Sequence, residues 1–275
     1  MHKLVCGIVV MAVVGMTSMV SAAETTPTDL QAGYVELGSL KEKLAANGLE
    51  LLGTHQVAGS NEYTVVVYTS ADLKKAALIS NRGFIAALHI LHNSKEREII
   101  ASNPEYFMRA FLQKDYKDGM AKPVNDALTA ALGPLTPTKD SLPTKKLKKY
   151  KFMMGMPNYD DFQRVGKGTT AELLAKLQKN AKEGIVFTQK LNEDGTSVLC
   201  GVALSNEIEN FNLKIKTINQ SHLLPYSVLI ENGEARIMHA KFYLALSFPN
   251  LTMGEFMKIM GTPGDIKDAF KAIFK

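Results

Sequence analysis

A proline-rich segment in the middle of the 275-residue chain divides it into two parts. The segment runs from Gly133 to Pro143 and contains three prolines, each of which fixes a backbone angle and removes a hydrogen-bond donor. Such a segment interrupts helices and strands, so we expect a domain boundary there. The sequence predicts a first unit over residues 23–133, a Pro/Lys-rich linker over 134–165 and a second unit over 166–275.

The two parts show the same order of predicted elements. Leucines at helical spacing predict an amphipathic helix near the start of each part, over residues 37–44 and 173–177. Apolar and β-branched runs then predict two strands in each part, which are Leu49–Thr54 and Tyr63–Tyr68, then Ile185–Gln189 and Ser197–Leu204. A polar helical stretch follows these strands in both parts.

Each part continues with a predicted strand pair. The first pair is Phe84–Leu91 and Glu98–Ala101, and the second is Tyr226–Ile230 and Ala235–His239. The turn of the second pair contains Asn232-Gly233, a dipeptide that readily adopts the positive φ angles of a type I′ hairpin. The second hairpin is therefore the stronger prediction.

A proline and a helix follow each strand pair. Pro104 suits the first turn of the first helix, and Thr252 and Glu255 have the spacing of a capping box in the second. The shared order predicts an α+β protein of two tandem repeats, each a small, mainly antiparallel sheet packed with helices.

Four segments resemble a known family, the domain of unknown function 302 family, and more closely its exported members with two copies. These segments are Leu40–Leu51, Ser102–Tyr106, Tyr150–Pro157 and the stretch from His239-Ala240-Lys241-Phe242 through Met260. The resemblance implies a compact α+β fold whose single copies associate as dimers, and it implies no settled activity. A chain with two tandem copies could form both halves of such a dimer by itself. We therefore expect a pseudo-dimeric monomer.

The first 22 residues have the pattern of a cleavable signal peptide. Lys3 precedes an apolar run over Leu4–Val14, and Val20-Ser21-Ala22 supplies small residues at alternate positions. The run is shorter than the roughly 20 apolar residues that a transmembrane helix needs. We expect a soluble protein that is periplasmic or secreted, without an integral membrane segment after cleavage.

The charge and the cysteine content of the mature chain argue against nucleic-acid binding and against an internal disulfide. The formal net charge of +5 falls by one when Lys3 is removed, which is too little for nucleic-acid binding. Cleavage also removes Cys6 and leaves Cys200, so no internal disulfide can form. Cys200 lies in an apolar run that predicts a buried strand. The basic run Lys145–Lys151 is either a solvated edge, which we favour, or a site for anions or a membrane surface.

Three classes of function remain open. We favour a binding module with a small ligand held between the two repeats, because such interfaces form grooves. An accessory copper or haem carrier is the alternative. An enzyme comes last, since the sequence has no CxxC, HExxH, GxSxG or glycine-rich phosphate motif. Catalytic groups can also come from scattered positions, and His222, His239 and Cys200 are the candidates for such a site.

The candidate ligand-binding residues are His222, Tyr226, His239 and Met156. His222 and Tyr226 lie at the entry to a predicted strand, and His239 ends the facing strand of the hairpin. This placement would let the two histidine rings line a groove between the repeats. His55 follows the first predicted strand, and we expect it to be a solvated loop residue.

The candidate metal ligands are Met153, Met154, Met156 and His239. Thioethers bind soft Cu(I) and can serve as axial haem ligands, and the three methionines lie just before Pro157 in a stretch without regular structure. The residues Met253, Met257 and Met260 recur at helical spacing in the sequence. Because methionine fills irregular core gaps, we expect that second group to be buried core.

Overall fold

The computed structural model describes residues 24–275. The predicted signal peptide therefore lies outside the described residues. The described chain is α+β, as the sequence predicts, with antiparallel sheets and helices. Its strands are β1 (Thr25–Pro27), β2 (Asp29–Ala32), β3 (Glu50–Gln56), β4 (Tyr63–Thr69), β5 (Leu88–Asn93), β6 (Glu98–Ser102), β7 (Thr136–Pro137), β8 (Ser141–Pro143), β9 (Gln163–Lys167), β10 (Ile185–Lys190), β11 (Val198–Val202), β12 (Tyr226–Glu231) and β13 (Glu234–Ile237).

The helices are α1 (Leu37–Ala46), α2 (Ala71–Ala77), α3 (Pro104–Leu112), α4 (Lys122–Leu132), α5 (Thr144–Leu147), α6 (Thr170–Asn180), α7 (Asn206–Glu209), α8 (Phe211–Lys214), α9 (Ala240–Ser247), α10 (Met253–Lys258) and α11 (Thr262–Ile273). Two 3₁₀ turns also matter for the fold, at Gly83–Ala86 and Ile218–Leu223. None of the helices over residues 24–275 is long and apolar enough to cross a membrane.

Two antiparallel sheets form the centre of the molecule. The first has the strand order β3-β4-β5-β6-β2-β7 and the second has the order β10-β11-β12-β13-β9. In each sheet the strand that precedes the first helix pairs with the last strand of the hairpin, β2 with β6 and β9 with β13. A separate two-stranded sheet joins β1 to β8.

Local sequence signals set several helix and turn boundaries where the sequence predicts them. Pro104 is in the first turn of α3, and Thr252 and Glu255 form a capping box at α10. Asn232 and Gly233 both have positive φ, 55° and 75°, which confirms the turn predicted for the second hairpin. Each of these features depends only on contacts between neighbouring residues, and such contacts do not need the rest of the fold.

The central strands are buried along their whole length. Every residue of β4 and of β11 is shielded from solvent, because these strands have a neighbour on each side and are covered on both faces. Cys200 in β11 is completely buried, as predicted. The predicted strand Phe84–Leu91 is shorter in the structure, since its first residues form a 3₁₀ turn and β5 begins at Leu88.

The edge strands β3 and β10 of the two sheets approach each other closely. Each strand has a register shift against its neighbour, at Leu51/Gly53 in β3 and at Ile185/Phe187 in β10. A Cβ atom placed on Gly53 would be 2.4 Å from the carbonyl oxygen of Val186. Only glycine therefore fits at this approach of the two backbones.

The two halves also exchange contacts through the 3₁₀ turns. The Gly83–Ala86 turn packs against β11 and β12, and the Ile218–Leu223 turn packs against β5 and β6. Hydrogen bonds accompany both contacts. The backbone N–H of Asn81 donates to Glu231 Oε2 (3.1 Å), and Asn93 Nδ2 donates to Asn219 Oδ1 (3.0 Å). Each half thus uses its turn to cover the sheet of the other.

The segment predicted as a linker over 134–165 packs onto both halves. Tyr150 Oη donates to the carbonyl of Ala245 (2.9 Å), and Tyr159 Oη donates to that of Asn81 (2.9 Å). The lysines of the 145–151 run are largely exposed, whereas Leu147 and Tyr150 between them are buried. The segment also supplies β7 and β8, and β9 begins inside it. Its aromatic side chains therefore hold it against the core.

Candidate functional site

A groove of about 560 Å³ lies between the two sheets, and we call it the inter-sheet groove. The first half contributes Thr54, His55 and Gln56 from β3 and Thr64 from β4. The second half contributes residues 183–186, Ala203, Leu204, Asn206 and Glu209. Val186, which approaches Gly53 closely, is one of the lining residues, so the groove lies beside that close approach. Its lining residues include two carboxylates and no lysine or arginine.

A buried pair of side chains forms one wall of the inter-sheet groove. His55 Nε2 lies 2.9 Å from Glu209 Oε2, and the side chains are 8% and 1% exposed. The same carboxylate accepts hydrogen bonds from the backbone N–H groups of Ala58 (2.8 Å) and Leu204 (3.0 Å). Glu209 therefore joins β3 of one half to α7 of the other, and its negative charge is well solvated by protein donors.

His55 is not the solvated loop residue that we expected. It lies in β3, which extends to Gln56, two residues beyond the predicted strand end. The ring is buried because its partner Glu209 comes from the other half of the chain, 154 residues away. No local pattern in the sequence connects these two residues, so sequence reasoning missed the pair.

A second cleft of about 710 Å³ lies in the second half, between α6, α7 and α11. We call it the lysine cleft, because its rim carries Lys176, Lys179, Lys182 and Lys275. The apolar part of its lining, which we call its floor, consists of alanine, leucine and isoleucine side chains, of which Leu204 and Ile273 are buried and Ala272 is exposed. Glu183, Ala203 and Leu204 line both this cleft and the inter-sheet groove. The two concave surfaces therefore adjoin each other across one wall.

The predicted ligand residue His222 lies in the core. Its ring Nε2 is 2.8 Å from Asp29 Oδ1, and its carbonyl oxygen accepts a hydrogen bond from Nδ1 of His89 (2.6 Å). Among the described residues, His222 Nδ1 and Asp29 Oδ2 have no partner. Burial lowers the pKa of His89 to about 3, which keeps its ring neutral at ordinary pH.

A small cavity of about 10 Å³ lies beside His89, with Ser102 and Ser227 in its wall. That volume suits about one water molecule, so it excludes an organic substrate. Cys200, the other candidate for a scattered catalytic site, is equally enclosed. Burial raises the pKa of its thiol to about 11, which leaves it protonated and unreactive. These groups have the environment of structural residues.

The other predicted ligand residues are also away from the two concave surfaces. Tyr226 is completely buried, and its hydroxyl donates to the carbonyl of Met238 (2.9 Å). His239 caps α9, where its Nδ1 accepts a hydrogen bond from the backbone N–H of Lys241 (3.2 Å). Met156 is half-buried in the 150–162 loop. Neither the inter-sheet groove nor the lysine cleft is lined by Met156, His222, Tyr226 or His239.

The methionines occupy more exposed positions than expected. Met153 is 46% exposed and Met154 is 98% exposed, so the second projects into solvent. The prediction that Met253, Met257 and Met260 form buried core is wrong, since they are 48%, 56% and 60% exposed. The short helix α10 buries none of its residues and lies on the surface. Helical spacing alone did not reveal which face of α10 has a neighbour.

The described residues hold no group of three or more His, Cys, Asp or Glu side chains placed to bind a metal ion. This finding covers only His, Cys, Asp and Glu side chains, so it does not bear on metal binding by methionine thioethers. The arrangement that remains is two adjoining concave surfaces, one polar and acidic and one basic with an apolar floor. Surfaces of this size and shape are typical of ligand binding.

No family model, no curated protein and no solved structure matches the chain. The resemblance to the domain of unknown function 302 family therefore stays an expectation from the sequence.

Proposed function

We propose that the protein is an exported binding protein that holds a small polar molecule in the inter-sheet groove. The observation that carries this proposal is the groove itself, which has a volume of about 560 Å³ and walls from both halves of the chain. Natural ligand sites are concave and have a few placed polar groups. The rigid pair of Glu209 and His55 fixes one wall of the groove.

The charge of the groove suggests the class of ligand. Glu183 and Glu209 are the two carboxylates of its lining, which includes no lysine or arginine. The hydroxyl and amide groups of Thr54, Gln56 and Asn206 can donate and accept hydrogen bonds. A carboxylate-containing wall repels anions, so we expect a ligand that is neutral or positively charged and rich in hydroxyl or amino groups.

A duplicated architecture accounts for a groove between halves. We infer that the chain is two tandem copies of one unit that pack as a pseudo-dimer within a monomer. The matching strand orders of the two sheets and the reciprocal packing of the two 3₁₀ turns support this inference, since reciprocal contacts are typical of a two-fold interface. Sedimentation should give the mass of one chain, and a tight dimer would contradict the inference.

The proposal that the protein is exported rests on the sequence of residues 1–22. N-terminal sequencing of the protein from its own cells should begin at Ala23 or Glu24. A mature protein that still begins at Met1 would contradict export by a cleaved signal peptide.

A ligand screen with groove-filling variants tests the binding proposal. Thr54 lines the groove from an exposed position on β3, and Thr54→Trp would fill it. Thr188→Trp is the matched control, because Thr188 is an exposed threonine on the edge strand β10 and lines neither concave surface. Thermal unfolding of all three proteins would be measured against a library of small polar metabolites.

A compound at a hundredfold excess over its Kd stabilises the folded state by about 2.7 kcal/mol. For a protein of this size, that corresponds to an increase in Tm of about 5–10 °C. The proposal predicts at least one compound that has this effect on wild type and Thr188→Trp but not on Thr54→Trp. Equal shifts in all three proteins, or no shift with any compound, would overturn it.

Cu(I) binding is a second candidate, which the exposure of the methionines favours. Met253 and Met257 are four residues apart on α10 and both reach solvent, so their thioethers are available to a soft metal. Titration with Cu(I) against a competing chelator would compare wild type with the Met253→Leu/Met257→Leu and Met153→Leu/Met154→Leu variants. Loss of affinity in one variant would identify the site, and no binding at micromolar Cu(I) would exclude this function.

A further inference from the structure

We propose that the lysine cleft binds an anionic amphiphile with a single alkyl chain, of which a fatty carboxylate is the simplest example. This site adjoins the polar inter-sheet groove, with which it shares Glu183, Ala203 and Leu204, but the proposal does not depend on what that groove binds. It rests on the shape of the cleft, the chemistry of its floor and the charge of its rim.

The floor of the cleft is suited to an alkyl chain. It combines residues from the 203–208 segment with residues from the end of α11, namely Ala203, Leu204, Ile208, Ala269, Ala272 and Ile273. All six side chains are aliphatic. The cleft volume of about 710 Å³ falls within the range of natural small-molecule sites. The small alanines leave room that larger side chains would fill.

The rim of the cleft is suited to an anionic headgroup. Lys176, Lys179 and Lys182 border it, and Glu183 is the one acidic side chain among the lining residues. None of these three lysines forms an ion pair within residues 24–275, although Lys176 Nζ donates to the carbonyl of Phe274 (3.1 Å).

The arrangement of charge around an apolar floor favours a single free molecule over a membrane surface. A membrane-binding surface presents its apolar side chains outward, with basic groups beside them. Here the two large aliphatic side chains of Leu204 and Ile273 are buried in the lining of a concave cleft, whereas Lys179 and Lys182 beside them are exposed. A carboxylate would pair with the lysines while its chain lies on the floor.

Calorimetric titration with dodecanoate below its micelle concentration tests the proposal. Each methylene that enters an apolar site adds about fourfold in affinity. Dodecanoate should therefore bind about 15-fold more tightly than decanoate. Dodecyltrimethylammonium has the same chain with the opposite charge, so it should bind more weakly than dodecanoate by at least about tenfold.

Variants locate the site and separate it from the inter-sheet groove. Lys179→Glu/Lys182→Glu should weaken dodecanoate binding by at least about tenfold. The matched control is Lys43→Glu/Lys75→Glu, which reverses two exposed lysines away from both concave surfaces. These lysines lie in the last turns of α1 and α2, as Lys179 does in α6. This control should bind like wild type.

Two further proteins complete the experiment. Ala272→Trp fills the floor without changing charge and should also lose binding. Thr54→Trp blocks the inter-sheet groove and should bind dodecanoate normally, so failure of one proposal is distinguishable from failure of the other. Four results would overturn the inference: no dodecanoate binding, equal affinity for the cationic analogue, equal loss in the control variant, or binding only to anionic phospholipid vesicles.

Discussion

The substitution Gly53→Ala tests the close approach of the two sheets. The added Cβ would be 2.4 Å from the carbonyl oxygen of Val186 and 3.1 Å from its Cγ1. The nearest contact is a backbone atom, so no rotation of a side chain can relieve it. Either β3 or β10 would have to shift by several tenths of an ångström, and each strand is held to its own sheet by a ladder of hydrogen bonds.

Overpacking of this kind costs about 1–3 kcal/mol. For a two-state protein of this size each kcal/mol lowers Tm by about 2–4 °C, so we expect a decrease of about 2–12 °C. Urea unfolding followed by circular dichroism would give the free energy directly. A matched control is Gly38→Ala in α1, where a Cβ would meet nothing within 4 Å. That change should be neutral or stabilise the helix by up to about 1 kcal/mol.

If Gly53→Ala were as stable as Gly38→Ala, the two edges could not be in contact as described. The groove beside them would then lack the fixed walls that the binding proposal needs.

Three more predictions concern buried groups. Glu209→Ala removes one partner of the buried pair with His55 and should cost about 3–5 kcal/mol in urea unfolding, and a loss below about 1 kcal/mol would mean that the pair is solvated. Burial lowers the pKa of His89 to about 3, whereas the unfolded value is about 6.5. Below about pH 6.5 the unfolded state binds a proton that the folded state does not. The free energy of unfolding of wild type should therefore fall by about 2 kcal/mol between pH 7.5 and pH 5, relative to that of His89→Asn. Parallel pH curves for the two proteins would contradict this reasoning. Cys200, whose thiol pKa is raised to about 11 by burial, should resist alkylation at pH 8 until the protein is unfolded in guanidinium, and rapid labelling of the native protein would show that the strand is accessible.

Features that depend on neighbouring residues could be predicted from the sequence. The capping box of Thr252 and Glu255, the Asn232-Gly233 turn and the buried strand around Cys200 are all present in the structure. Each depends on residues only a few positions apart, so the sequence contains the whole signal.

Features that depend on distant residues could not be predicted. The strands β2 and β9 are short, and their pairing with β6 and β13 comes from residues far away in the chain. The burial of His55 depends on Glu209, and the exposure of Met257 depends on the absence of a neighbour at α10 in the described fold. A hydrophobic period predicts a helix face, but it does not say whether another element covers that face.

For the candidate site, the sequence predicted the general location but not the residues that form it. A binding site between the two halves is a reasonable prediction from two similar units, but the sequence pointed to His222 and Tyr226. In the structure both side chains have partners in the core. The inter-sheet groove is lined instead by residues such as Thr54 and Asn206. Polar residues of this kind carry no distinctive motif, so the folded structure was needed to bring them together.

Native mass spectrometry of the protein purified from its own cells tests the central claim most directly. Wild type and Thr188→Trp should carry the added mass of a small molecule, and Thr54→Trp, whose groove is filled, should lack it. An added mass that Thr54→Trp retains, or the bare polypeptide mass in all three proteins, would contradict ligand binding in the inter-sheet groove.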